Sequence, residues 1–146
     1  MLTSVLPLYG QAPPPWLGTW KLNLEKSRNS SEPPRYRRAT CRIDAWEDGI
    51  KVTYDMVGIR GGVTHMEWAG KFDGKDYPMQ GVDNVLTNAY RRIDDHSYEI
   101  VVKVDGNLVA TSHVVVSPDG ETLHVTTEES VGRGQSRSST SVYERM

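Results

Sequence analysis

Several residue types are scarce in this sequence, and each scarcity excludes a class of protein. Cys41 is the single cysteine among 146 residues, so the chain has no internal disulfide and no cysteine-based zinc site. The formal net charge is only −2, which gives no electrostatic reason to bind nucleic acid or an anionic membrane. No apolar run approaches the roughly 18 residues that a membrane-spanning helix requires. We therefore expect one domain with a single core, no nucleic-acid partner and no membrane span.

The N-terminal segment has a composition of its own. The stretch MLTSVLPLYGQA is apolar, contains no Lys or Arg, and ends in small residues, as a secretory signal does before its cleavage site. The basic start of such a signal is missing, so we interpret residues 1–16 as a signal remnant or an N-terminal tail. The sequence then predicts an exported protein, periplasmic or secreted, with its folded domain at residues 17–146.

Short alternating segments separated by turn residues fill the rest of the chain. The turns are EDGI, IRGGV, FDGK, GVDN, IDDHS, VDGN, SPDGE and VGRGQ. With GTWKLN ahead of them they predict about ten strands and almost no helix. A meander of this length removes its exposed edges by closing on itself. The predicted fold is all-β, a single closed antiparallel up-and-down barrel.

The lengths of the turns predict which face of each strand points into the barrel. A two-residue Asp-Gly loop pairs residues whose numbers have an odd sum, whereas a three-residue loop pairs residues of equal parity. We take Asp48-Gly49 and the Asp-Gly pairs of FDGK and VDGN as two-residue loops, and IDDHS and SPDGE as three-residue loops with His96 and Gly120 in the left-handed conformation. Applied from hairpin to hairpin, this rule gives a set of inward-facing residues. As candidate ligand contacts we take from it Tyr54, Met56, Trp68, Tyr77, Asn88, Tyr90, Tyr98, Thr111, His113 and Thr127. For the last strand the rule leaves the face open, and Ser141 and Tyr143 are added on the condition that Tyr143 faces inward.

The predicted interior is unusual for a core that serves stability alone. The chain has a single Phe, and Ala, Cys, Thr and Tyr recur where bulky aliphatic residues are expected. Aromatic walls with a few hydrogen-bonding groups are typical of a small-molecule site. The leading hypothesis is therefore binding of a small apolar molecule, aromatic, polyketide-like or lipid-like, without metal or cofactor.

Three alternatives use the same barrel differently. In a cofactor-independent isomerase, cyclase or lyase, a neutral His113 would be the base and Tyr90 or Tyr54 the acid. In a haem-binding barrel, His113 would be the axial ligand. A structural or interaction module would have a dry, filled interior. The oligomeric state stays open between monomer and dimer.

The two ends of the sequence carry a family resemblance. With Gly18 and Trp20 in GTWKLN and with VYERM at the end, the sequence resembles the calycins, in particular the small exported bacterial lipocalin-like proteins and the fatty-acid-binding proteins. The resemblance implies that Trp20 lies across the closed end of the barrel. The sequence differs from the fatty-acid-binding proteins in two places. The segment LEKSRNSSEPPR is too short and too rich in Pro and Ser to form their lid helices. Ser141, two residues before Tyr143, stands where those proteins place a carboxylate-binding Arg.

Overall fold

The computed structural model describes residues 13–29, 36–83 and 85–146, with the side chains at positions 28 and 29 left out. The predicted secretory segment at residues 1–12 lies outside the described part of the chain. The described residues form ten strands: β1 (Gly18–Asn29), β2 (Tyr36–Trp46), β3 (Gly49–Gly58), β4 (Val63–Gly70), β5 (Tyr77–Gln80), β6 (Leu86–Asp94), β7 (Ser97–Val104), β8 (Asn107–Val116), β9 (Thr122–Gly132) and β10 (Gln135–Arg145).

The strands form one closed antiparallel barrel. Each strand pairs with its neighbours in sequence, and β1 pairs with β10 to complete the circle. This confirms the predicted up-and-down barrel of about ten strands. No helix occurs among the described residues, and none there is long and apolar enough to cross a membrane.

The barrel has two ends, which we call lower and upper. The lower end holds the start of β1 and the turns after β2, β6 and β8, whereas the upper end holds the turns after β3, β7 and β9. Trp16, ahead of β1, is only 1% exposed and belongs to the core. The packed unit therefore starts before residue 17.

The turn between β7 and β8 has the predicted form, but the strand that follows it is irregular. Asp105 and Gly106 have positive φ angles of 50° and 84°, as a two-residue hairpin turn requires. Val104 pairs with Asn107, but farther along the strands Val102 pairs with Ala110. Val109 is thus the additional residue of a β-bulge, and every later residue of β8 faces the opposite side from the one predicted.

The next turn reverses the parity again. We predicted a three-residue loop in SPDGE, but the Ser117 amide donates a hydrogen bond to the Thr122 carbonyl over 2.9 Å, which encloses four residues. Val114 accordingly pairs with Val125. The two irregularities cancel, so Val125 and Thr127 of β9 face inward as predicted, although the residues of β8 after the bulge face the side opposite to the prediction.

Candidate functional site

The lower end of the barrel is closed by stacked side chains. Trp20 is fully buried, and its indole nitrogen donates a 2.9 Å hydrogen bond to the Trp16 carbonyl. The Arg145 guanidinium lies 4.3 Å from the centroid of the Trp20 ring and donates hydrogen bonds of 2.7 to 2.8 Å to the carbonyls of Pro15, Leu17 and Gly120. These contacts make Trp20 the plug that the resemblance implies.

Gly18 makes this closure possible. Its φ angle of 135° is one that residues with a side chain rarely adopt, and a Cβ atom there would overlap the Arg145 guanidinium. The Gly-x-Trp pattern therefore has a physical basis, because the glycine leaves room for the cation that stacks on the tryptophan.

Above the plug, aromatic rings fill the barrel. Trp68 stacks on Tyr90 with ring centroids 4.1 Å apart, and Tyr90 stacks on Tyr98 at 5.3 Å. Phe72, which follows β4, meets both tyrosines edge-on. Trp68 also donates hydrogen bonds to the Tyr77 and Asn88 carbonyls, at 3.0 and 3.2 Å. This aromatic layer separates the lower end from the space above it.

Hydroxyl groups and one thiol converge near this layer. Tyr54, Tyr90, Tyr98 and Tyr143 come from different strands, and Cys41 faces the same interior from β2. Burial raises the pKa of all four phenols, with a further increase from their neighbours. Burial also raises the pKa of Cys41 to about 12, partly offset by a hydrogen bond with Tyr54. The cluster is therefore uncharged at neutral pH, and Cys41 is no reactive thiolate.

Two polar atoms of this region are buried without a hydrogen-bond partner among the described residues: the Tyr90 hydroxyl and Asn88 Oδ1. Tyr90 is 0% and Asn88 5% exposed. The Tyr54 hydroxyl is near enough to Tyr90 to oppose the rise of its pKa, but it lacks the distance and alignment of a hydrogen bond. Buried polar atoms are seldom left unpaired, because each costs free energy in that state.

The upper half of the interior is lined differently from the lower half. Ser112 and Thr127 share a 2.7 Å hydrogen bond between their hydroxyls, and Ser139 and Ser141 face inward from β10, beside Thr127 and Val125. Several inward-facing residues from the middle of the barrel upward keep accessible surface, although Ala39 and Met56 are buried. The inward-facing residues that keep accessible surface are Tyr54, Met66, Leu86, Val102, Val125, Thr127, Ser139, Ser141 and Tyr143.

The structure contradicts the predicted positions of His113 and Thr111. Because of the bulge at Val109, both residues point to the outside. The His113 side chain is 53% exposed, and its Nε2 lies 3.7 Å from a Glu99 carboxylate oxygen. Both residues line a solvent-open groove of about 410 Å³ along the upper parts of β8, β9 and β10, which the sequence did not predict.

This correction removes the basis of two alternatives. His113 cannot act as a base, or as a haem ligand, inside a barrel from which it points away. The other three histidines, His65, His96 and His124, are exposed as well. Among the described residues, no three His, Cys, Asp or Glu side chains are grouped so that they could hold a metal ion.

The remaining predicted residues face inward but belong to different zones. Trp68 is part of the aromatic layer, whereas the Tyr77 hydroxyl donates a 2.7 Å hydrogen bond to Asp73 in the lower loop. Sequence reasoning missed Ser112, which takes the inward place expected for His113, and Phe72, which lies in a loop. It also gave Cys41 only a packing role.

The strand pairing defines a closed up-and-down barrel, which is the fold that the resemblance implies. No protein-family model matches the sequence, and no curated protein does. Among solved structures, the siderocalin Ex-FABP, described as functioning through dual ligand specificities, is 13% identical to this chain. The likeness covers 90% of this chain and 71% of that one, with a TM-score of 0.41. The fold conclusion stands on the strand pairing itself.

Proposed function

We propose that the protein binds a small apolar molecule, aromatic in at least one part, in the upper half of its barrel. The observation that carries this proposal is the accessible surface that inward-facing residues such as Met66, Val102 and Ser139 retain there. In the lower half, Trp20, Trp68 and the other core residues are buried almost completely. A core that served stability alone would be packed to the same density throughout.

The chemistry of the lining supports the same proposal. The aromatic layer of Trp68, Tyr90 and Tyr98 closes the region from below, and the partly accessible rings of Tyr54 and Tyr143 give a ligand ring a surface against which to pack. Thr127 and Ser141 add hydroxyls to the wall. A mostly apolar site with a few polar groups that orient the ligand is the usual composition of a small-molecule pocket.

Two adjacent serines of β10 allow a matched test of where the ligand binds. Ser139 pairs with Thr127 on the inner face, and Ser138 pairs with Glu128 on the outer face. We expect Ser139→Trp to fill the upper interior and to abolish binding of N-phenyl-1-naphthylamine, measured by the increase in dye fluorescence. Ser138→Trp should bind the dye like the wild type.

The stability of the same variants makes the outcome unambiguous. If the interior has room, Ser139→Trp should cost less than about 1 kcal/mol of unfolding free energy, whereas overpacking a filled core costs about 1 to 3 kcal/mol. Dye binding that survives Ser139→Trp, or no dye binding by the wild-type protein, would contradict the proposal. Urea denaturation followed by far-UV circular dichroism gives the free energies.

A further inference from the structure

We infer that the upper interior selects neutral ligands that carry an amide or hydroxyl group, and that it rejects carboxylates. This inference rests on the proposed function and specifies the class of ligand. Its starting point is the pair of unpartnered polar atoms on β6, the Tyr90 hydroxyl and Asn88 Oδ1. The two residues are two positions apart and share the inner face of the strand.

These two atoms call for a ligand group that both donates and accepts hydrogen bonds. A phenol hydroxyl can donate or accept, whereas an amide oxygen accepts only. A neutral amide can donate from its nitrogen to Asn88 Oδ1 and accept at its oxygen from Tyr90. A carboxylate has no hydrogen to donate, so it would leave Asn88 Oδ1 unpaired.

The surroundings offer a buried anion no compensating charge. Around Tyr90 lie the phenols of Tyr54 and Tyr98 and the thiol of Cys41, and all three are neutral at pH 7 because burial raises their pKa values. An anion moved from water into such a site loses its hydration without gaining an ion pair.

The charged groups on the inner side of the barrel are engaged elsewhere. Arg137 lies 3.8 Å from Glu129 near the upper end. Arg92 and Arg145 are at the lower end, beyond the aromatic layer: Arg92 pairs with Asp95 at 2.9 Å, and Arg145 is held by three carbonyls. Within the described part of the chain, these are the arginines that the strand register directs inward.

A pair of ligands that differ only in charge tests the inference. 2-Naphthamide and 2-naphthoate have the same ring and nearly the same shape. At pH 7 we expect 2-naphthamide to displace N-phenyl-1-naphthylamine from the wild-type protein at concentrations at least about tenfold lower than 2-naphthoate. Tyr90→Phe removes one hydrogen bond and keeps the ring, so it should weaken 2-naphthamide about tenfold relative to N-phenyl-1-naphthylamine, whose affinity is measured on the same variant.

A gain-of-function variant completes the experiment. Ser141 faces inward two residues before Tyr143, so Ser141→Arg places a cation in the wall. It should strengthen 2-naphthoate at least about tenfold relative to 2-naphthamide on the same variant. The outward Ser138→Arg is the matched control and should change neither ligand.

The outcomes separate the inference from the function on which it rests. If the dye binds but 2-naphthoate displaces it as well as 2-naphthamide does, or neither compound displaces it, the inference is wrong and the binding function stands. If the dye does not bind the wild-type protein at all, the proposed function fails and the inference fails with it.

Discussion

The two halves of the barrel are built from different residues and differ in how their polar groups are satisfied. In the lower half, Trp20 and Trp68 donate hydrogen bonds to backbone carbonyls. The Arg145 guanidinium donates to three carbonyls and lies over a ring, and only Trp16 Nε1 has no partner among the described residues there. Toward the upper half, the Tyr90 hydroxyl and Asn88 Oδ1 have no partner among the described residues.

This difference indicates that the two halves of the barrel have different roles, one in stability and the other in binding. The lower half has the features of a core that stabilises the fold, because it is apolar and dense, and its buried polar groups other than Trp16 Nε1 are hydrogen-bonded among the described residues. Small and hydroxylated residues in the upper half contribute less packing free energy, and they suit a surface that a ligand completes. Variants in the lower half should therefore affect unfolding, and variants in the upper half should affect binding.

The largest effect should come from the aromatic layer. We expect Trp68→Ala to lower the free energy of unfolding by about 3 to 5 kcal/mol, because a buried ring is lost and a cavity remains. Thr127→Val in the upper half breaks one hydroxyl hydrogen bond and should cost only about 1 kcal/mol. Urea denaturation monitored by circular dichroism measures both.

Another tryptophan at the lower end provides the control. Trp46 is 41% exposed at the end of β2, so Trp46→Ala should change the unfolding free energy by less than about 0.5 kcal/mol. If Thr127→Val destabilised the protein as much as Trp68→Ala, the two halves would contribute equally to the free energy of unfolding, and the different roles assigned to them would be wrong. Should Trp68→Ala fail to fold, Trp68→Phe keeps most of the ring and loses the two hydrogen bonds.

A smaller effect should follow from removing the cation of the lower end. Arg145→Leu leaves the Pro15, Leu17 and Gly120 carbonyls without their donor, and we expect a loss of about 3 kcal/mol. Arg91 provides the matched arginine, because its 3.1 Å ion pair with Glu99 lies on the surface. Arg91→Leu should cost less than about 1 kcal/mol, and equal losses from both variants would contradict the role assigned to Arg145.

The fold was predictable from the sequence because turn residues and alternation are local signals. The two-residue turn between β2 and β3 is a good example: it uses Glu47 and Asp48 instead of Asp48 and Gly49, since Trp46 pairs with Gly49. A shift of the whole turn by one position keeps the sum of paired residues odd. The inward faces of Tyr54 and Met56 were therefore predicted correctly although the turn was misplaced.

The part of the site that was mispredicted depends on β-bulges, which have no comparable local signal. The bulge at Val109 lies in LVATSHV, where nothing distinguishes it from a regular strand, and it turned His113 outward. The loop near Asp94 was also mispredicted, but this error did not change which residues of β6 face inward. We expected a three-residue loop with His96 in a left-handed conformation, but Asp94 pairs with Ser97, and a register shift after Arg92 gives the same parity. Tyr90 therefore faces inward as predicted, for a different reason.

The smallest effect concerns the outer surface, where an ionic contact joins β3 and β4. His65 Nδ1 lies 2.6 Å from Asp55 Oδ1, and its Nε2 lies 2.9 Å from Glu67 Oε2. Hydrogen bonds with Asp55 and then Glu67 raise the pKa of His65 above 6.5. A hydrogen bond from His65, followed by one from Lys51, lowers the pKa of Glu67 below 4.5.

The signs of these pKa shifts define a pH window for the contact. The raised pKa of His65 means that its stabilisation is complete below pH 6.5 and is lost as the pH rises through the raised value. The lowered pKa of Glu67 means that its stabilisation is present above pH 4.5 and is lost as the pH falls through the lowered value.

The difference in unfolding free energy between wild type and His65→Asn should therefore be largest between these limits and shrink on the alkaline side. Asp55→Asn removes the main cause of the raised pKa, so it should move the alkaline loss to lower pH. A difference that grew with pH above 6.5 would show that His65 is not held as a protonated donor. In the buried lower half, Trp20, Trp68 and Arg145 donate hydrogen bonds to backbone carbonyls, so the outer contact between β3 and β4 is where a change of pH should separate the two kinds of stabilisation.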